Sequence, residues 1–240
     1  MKLINKKENK IMFTAEIEES LANAIRRYMN QIPVLAVEEV EISRNDSPLY
    51  DETIAHRIGL IPIKTDETVN VKKTPKLKLN VKDEGMVYSS ELKGNFNIVY
   101  EKIPITTLNK GQELNIIASV KEGKGEEHAK FSPGLMFYRN VVDIKLDKDC
   151  PTEVVNICPK KVFDVKEGKV VVRDSSECDM CEACIEVCRK HKKDSIKLIP
   201  TKELVITLES FGQLDVEEIF KKSVEILKKD LTEISKKISK

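Results

Sequence analysis

Residues 20–42, SLANAIRRYMNQIPVLAVEEVEI, carry two periodicities back to back. Leu21, Ile25, Tyr28 and Ile32 recur at helical spacing, Ser20 is placed to cap, and Pro33 ends the run. The following PVLAVEEVEI is strand-like and β-branched. A helix that feeds directly into a strand predicts a mixed α+β chain. Upstream, Ile11, Phe13, Ala15 and Ile17 alternate with mostly polar neighbours, the pattern of a half-buried strand. Downstream, residues 45–63, NDSPLYDETIAHRIGLIPI, predict a turn at Asn45–Pro48 and a short helix from about Asp51 to near Gly59.

From 66 to 145 the sequence reads as short strands divided by Gly, Asn and Pro. LKLNV, FNIVY, ELNIIASV and VVDIKL each approach a period of two, and EGKGEEH at 122–128 reads as an exposed loop. KELVITLES at 202–210 is another alternating strand, and Gly212 marks a turn. In the last helix Asp215 and Glu218 form a capping-box pattern. Phe220, Val224, Leu227, Leu231, Ile234 and Ile238 then follow at spacings of four and three. Such a stripe packs either on its own sheet or against a partner chain, and periodicity does not separate the two.

The chain has 240 residues, 40% of them apolar and 34% charged, which suits a globular protein with a real core. Lys plus Arg number 41 against 40 for Asp plus Glu, so bulk charge supports neither nucleic-acid nor membrane binding. No run approaches the ~18–20 apolar residues of a membrane span. MKLINKKENKIMF lacks the apolar core of a secretory signal. The expectation is a cytoplasmic protein, in which clustered cysteines read as metal ligands before disulfides.

Four of the six cysteines fall within CDMCEACIEVC, residues 178–188. Cys178, Cys181, Cys184 and Cys188 follow C-x2-C-x2-C-x3-C, the spacing of bacterial-type iron–sulfur ferredoxins. Zinc is the competitor, but the two residues between Cys181 and Cys184 suit it poorly, because structural zinc usually takes two short pairs divided by a longer loop. In two-cluster ferredoxins the fourth cysteine serves the other cluster and precedes proline. Cys188 precedes Arg189, whereas Cys158 precedes Pro159. A shift of 30 residues lays VVNICPKKVF over CIEVCRKHKK, a weak internal repeat. Lys148, Pro151 and Val154 then occupy the positions of the first cluster's tight ligands, and none supplies a thiolate. One cluster is therefore expected, held by Cys158, Cys178, Cys181 and Cys184. The form expected is [4Fe-4S], with [3Fe-4S] the product if Cys158 is poorly placed. Cys188 faces the vacated site, and Cys150 falls beside it.

Nothing else in the sequence resembles a catalytic constellation. His191 stands among Arg189, Lys190, Lys192 and Lys193 and reads as solvated; His56 and His128 lack ligand-spaced partners. No Ser-His-Asp pattern, phosphate loop or dinucleotide fingerprint is present.

Beyond the cysteines, four blocks resemble the D subunit of archaeal RNA polymerase, a family related to the bacterial alpha subunit's N-terminal domain and to the eukaryotic third-largest subunits. They are residues 20–42, residues 45–63 with AHRIGLIPI, HAKFSPGLMFYR at 128–139, and LVITLESFGQLDVEEIFKKSVEILKKDL at 204–231. Some members also carry a ferredoxin-like insert, which matches 147–195 here. The resemblance implies an α+β fold in three parts. These are a split alpha-like dimerisation domain (1–42 plus 203–240), a β-rich insert domain (43–146 plus 196–202) and a small ferredoxin-like iron–sulfur domain (147–195). It further implies a non-catalytic scaffold subunit of DNA-directed RNA polymerase, a nucleotidyltransferase. Such a subunit pairs with subunit L, joins the large subunits and meets DNA only through the assembled enzyme. The cluster would then be structural or regulatory. The rivals are a ferredoxin-type electron-transfer protein or redox-enzyme subunit, and a zinc-dependent nucleic-acid-binding module. A module of about 50 residues does not account for the rest of the chain.

Overall fold

The computed structural model describes residues 1–65 and 76–238. The start of the strand-rich stretch expected from 66, and the last two residues of the expected dimerisation domain, lie outside them. The chain is a mixed α/β protein with five α-helices among the described residues: α1 (Glu19–Tyr28), α2 (Asp51–Gly59), α3 (Glu153–Ile157), α4 (Ala183–Lys190) and α5 (Val216–Ile238).

Contacts gather the chain into two compact units: Met1–Lys6, Met12–Ala22 and Phe137–Thr207 in one, Lys7–Ile11, Asn23–Met136 and Leu208–Lys240 in the other. The first unit groups the cysteine segment with the strands on either side of it.

The first unit is built on a four-stranded sheet in the spatial order Lys2–Lys7, Lys10–Glu16, Ile196–Ser210, Gly134–Leu146. The cysteine segment adds α3, the hairpin Phe163–Lys166/Lys169–Val172, and α4. Glu167 and Gly168 both take left-handed φ, 51° and 75°, as a two-residue type I′ hairpin turn requires. Val142, Val154, Val162, Phe163, Val187 and Ile196 form the core beneath it.

In the second unit, Val34–Asn45 pairs antiparallel with Leu114–Gly123 from Val34↔Gly123 to Asn45↔Leu114, through two irregularities. Lys76–Val81 and Lys93–Gly94 complete the sheet. Its alternate residues Leu35, Val37, Leu77, Leu79, Ile116 and Ala118 are buried, and Ile54 and Ile58 of α2 pack into the same core. The expected turn before α2 forms around Asn45, whose side chain donates to the Leu49 carbonyl (2.8 Å) and accepts from the Ser47 amide (3.1 Å). Arg57 donates to the Ile105 carbonyl at 2.8 Å, tying α2 to the strand Pro104–Leu108.

Two local expectations are corrected. Ser20 lies inside α1, not at its cap, because the Glu18 carbonyl already accepts from the Leu21 and Ala22 amides. FNIVY makes a single bridge, Ile63↔Ile98, instead of a strand. Its natural partner contains Pro62, which has no amide to extend a ladder.

Helix α5 departs from its expected face. Its buried residues are Val216, Ile219, Ser223 and Leu227, one position off the stripe read from the sequence. Of that stripe only Leu227 is buried. Leu231, Ile234 and Ile238 are 56%, 51% and 80% exposed. At its start Asp215 bonds Lys64 (3.0 Å) and Glu218 turns forward to Lys222 (2.6 Å), where a capping box would turn it back. The two faces should separate in unfolding experiments on the isolated chain. Ile219→Ala is expected to cost about 2–5 kcal/mol, whereas Ile234→Ala stays within about 0.5 kcal/mol of wild type. Denaturant titration of both variants checks this.

Candidate metal centre

Four thiols line one hollow. Cys158, Cys178, Cys181 and Cys184 share it with the apolar Val162, Phe163 and Leu198 and the charged Lys160, Asp179 and Glu182. Its empty space, counted out to the open mouth, is about 290 Å³. Cys188 is not among the lining residues.

Local structure explains how distant residues reach this hollow. Cys158 is the extended residue that closes α3, and Cys178 closes the turn Ser175–Glu177. Asp174 caps that turn by accepting from the Ser176 amide at 2.9 Å. Cys184 sits in the first turn of α4, buried, while Cys181 is exposed. The loop between them curls tightly because Met180 and Glu182 adopt left-handed φ of 57° and 61°. Arg139 holds the loop from outside by donating to the Cys178 carbonyl at 3.0 Å.

Three of the four sulfurs also receive backbone amides. Val162 donates to Cys158 Sγ at 3.5 Å, and the Met180 and Ile185 amides donate to Cys178 and Cys184. Amides aimed at sulfur favour the thiolate. Burial acts the other way: it raises Cys178, and with the neighbouring Cys178, Cys181 and Cys158 it pushes Cys184 up to about 11. Thiols this close ionise together only when a cation among them removes their repulsion.

The other two cysteines form a separate pair. Cys188 is buried on α4 beside Cys150, whose thiol donates to the Pro151 carbonyl at 3.9 Å. Burial first, and then Cys188, pushes Cys150 up to about 12. Among the described residues, no three His, Cys, Asp or Glu side chains converge on one point as a single ion requires.

The sequence predicts a solvated His191, and it is exposed; its Nε2 also lies 3.1 Å from Glu153 Oε2. That partner is 38 residues away, and nothing in the local sequence points to it. His128 Nδ1 accepts from the Lys130 amide at 3.1 Å and caps a short turn. The amide donors to the sulfurs escaped the sequence reading as well, since a backbone group has no residue type to betray it.

Residues 40–136 match the RNA polymerase Rpb3/RpoA insert domain. Across nearly its whole length the chain is similar to DNA-directed RNA polymerase subunit Rpo3 of Thermococcus kodakarensis, 33% identical over 94% of this chain and 92% of the relative. The Archaeoglobus fulgidus Rpo3 is 32% identical over 98% and 96%. The chain belongs to the Rpo3 family. DNA-directed RNA polymerase II subunit rpb3 of Dictyostelium discoideum is also similar, 30% identical over 95% of this chain and 91% of that protein. These relatives correct the designation expected from the sequence, the archaeal D subunit: they are named Rpo3 and rpb3, and the insert match is to Rpb3/RpoA. No helix among the described residues is long and apolar enough to cross a membrane.

The buried thiols make a testable demand on pH. Their ordinary value is 9.0, and the folded chain holds Cys184 near about 11 and Cys150 near about 12. The folded state therefore keeps protons that the unfolded chain releases. That contribution to stability is complete below about pH 9 and is lost as pH climbs through the folded values. The unfolding midpoint of the reduced, metal-stripped chain should fall between pH 9 and pH 11, more shallowly in Cys150→Ser. Denaturant titrations at stepped pH check it.

Proposed function

We propose that this chain is a non-catalytic assembly subunit of a cytoplasmic DNA-directed RNA polymerase, pairing with the small subunit L and joining the large subunits. The observation that carries the reading is the outward apolar row of α5. Leu231, Ile234 and Ile238 are large, at least half exposed and aligned along one helix, the kind of surface that marks an interface. Residues 1–42 plus 203–240 would form the pairing domain and 43–146 plus 196–202 the insert. No residue of this chain takes part in nucleotidyl transfer on this reading, and contact with DNA runs through the assembled enzyme.

Residues 147–195 would form a ferredoxin-like domain with one iron–sulfur cluster on Cys158, Cys178, Cys181 and Cys184. The donor set supports this: four thiols around one hollow, three of them facing backbone amides. Thiols spread around a hollow suit separate iron corners better than a single zinc ion, which needs all four sulfurs about 2.3 Å from one point. When bound, the cluster supplies a cationic centre that lets the thiols ionise. The chain's own part is to hold those sulfurs, shield them with Val162, Phe163 and Leu198, and aim amides at them. Because binding ties Cys158 to the 178–184 loop, its free energy is folding free energy for this segment.

Two results are expected. Leu231→Asp should leave the chain folded by circular dichroism yet abolish co-purification with subunit L; retained pairing sinks the assembly reading. Anaerobically purified chain should be brown and carry about four iron per chain, or three with a [3Fe-4S] cluster. Cys181→Ser should lose the colour and loosen 147–195 to proteolysis, while subunit L binding survives. A colourless wild type holding only zinc would remove the cluster and leave the assembly role standing.

A further inference from the structure

Cys178 is anchored to a strand of the sheet as well as to its own segment. Its amide donates to the Ser175 carbonyl at 3.1 Å, and its sulfur receives the Met180 amide. Its carbonyl accepts from Arg139 Nη1 at 3.0 Å, a side chain 39 positions earlier, in the strand Gly134–Leu146. Cys158 is held differently. The nearby Lys161 amide bonds its carbonyl at 3.1 Å, so its setting is local.

Arg139 also neighbours Asp174. The Ser176 hydroxyl at 2.6 Å and amide at 2.9 Å hold the Asp174 carboxyl below its ordinary range, and Arg173 and Arg139 add to that. Asp174 opens the turn Ser175–Glu177 and Cys178 closes it. The guanidinium is therefore close to both ends of the turn that delivers the first cysteine of the tight loop. That loop needs a restraint. Met180 and Glu182 hold left-handed φ of 57° and 61°, a conformation that a non-glycine residue keeps only where its surroundings over-determine it. Fixing the Cys178 carbonyl sets the direction in which the chain leaves for Met180.

We propose that Arg139 is a positioning residue of the metal centre, setting the entry of the 178–184 loop and placing a fixed positive charge beside the bound cluster. The inference rests on the reading that Cys158, Cys178, Cys181 and Cys184 hold an iron–sulfur cluster. A cluster held by thiolates is negatively charged, and an added electron makes it more negative still. A neighbouring cation favours that reduced form, since net charge and hydrogen bonding set cluster potentials. Arg139 is half-buried, so its charge is screened less than that of a surface side chain. It acts twice: its hydrogen bond governs how firmly the ligands are held, and its charge raises the reduction potential.

The test compares full-length, anaerobically loaded wild type with Arg139→Lys, Arg139→Gln and Arg139→Met, each checked for its fold by circular dichroism. Chelator competition reads the positioning role. Arg139→Met should weaken iron retention about tenfold or more, as loss of an outer-shell partner does. Arg139→Lys and Arg139→Gln keep a donor for the carbonyl and should fall between it and wild type. Potentiometric titration with dithionite, which supplies the electron, reads the charge. The potential should drop in Arg139→Gln and Arg139→Met and stay near wild type in Arg139→Lys. In the metal-stripped chain, Arg139→Met should be cut faster than wild type within 174–184. Should Arg139→Met fail to fold, the potentials of the Gln and Lys variants decide. Retention and potential both indifferent to the loss of Arg139 overturn the proposal. A potential lowered equally in all three variants overturns it too, because packing and not charge would then be at work. A wild type that binds no iron sinks the cluster reading and this proposal together, whereas an iron-loaded wild type with unaffected variants sinks this proposal alone.

Discussion

A single helix can turn one face to its own chain, and α5 has apolar residues on two. Val216, Ile219 and Leu227 go inward; Leu231, Ile234 and Ile238 stay in water. Leaving a large apolar side chain exposed forgoes roughly 1.5–3 kcal/mol of burial. Three of them in register on one helix make an apolar surface that the described residues of this chain leave uncovered. The insert sheet has no such debt. Its long pairing of Val34–Asn45 with Leu114–Gly123 places alternate side chains in one core, and Ile54 and Ile58 of α2 close it.

The cysteine segment follows a different logic. Its core is small, and a third of its apolar-looking residues are thiols: Cys150, Cys178, Cys184 and Cys188 pack among Val154, Val162, Phe163, Val187 and Ile196. Thiols tolerate burial while protonated, and burial is what raises Cys150 and Cys184. Backbone amides at three of the sulfurs prepare the opposite state. Burial and amides thus act on these thiols in opposite directions, and that sets the segment apart from an ordinary hydrophobic core.

The sorting of six cysteines into four and two depends on this packing. α4 carries Cys184 toward the hollow with its first turn and Cys188 away from it with its second. Cys158 arrives from the end of α3, twenty positions earlier in the chain than Cys178, and occupies the place that spacing alone would give to Cys188.

Sequence by itself determined the elements whose signals are local. The Asn45 turn, the extent of α2, the strand after Pro33 and the long terminal helix were all legible, because turn chemistry, proline geometry and periodicity act within a few residues. That Cys158, Cys178, Cys181 and Cys184 stand apart from Cys150 and Cys188 was legible for a related reason: the tight cysteine spacing and the Cys-Pro pair are local features of the sequence. Tertiary structure decided what depends on a partner elsewhere in the chain. FNIVY had the alternation of a strand but met Pro62 and gained one bridge. The inward face of α5 lay one position from the stripe, since its apolar residues cover more than one face and only the surface beneath chooses among them. Glu153 and His191 found each other across two helices, through a contact that no spacing within either segment encodes.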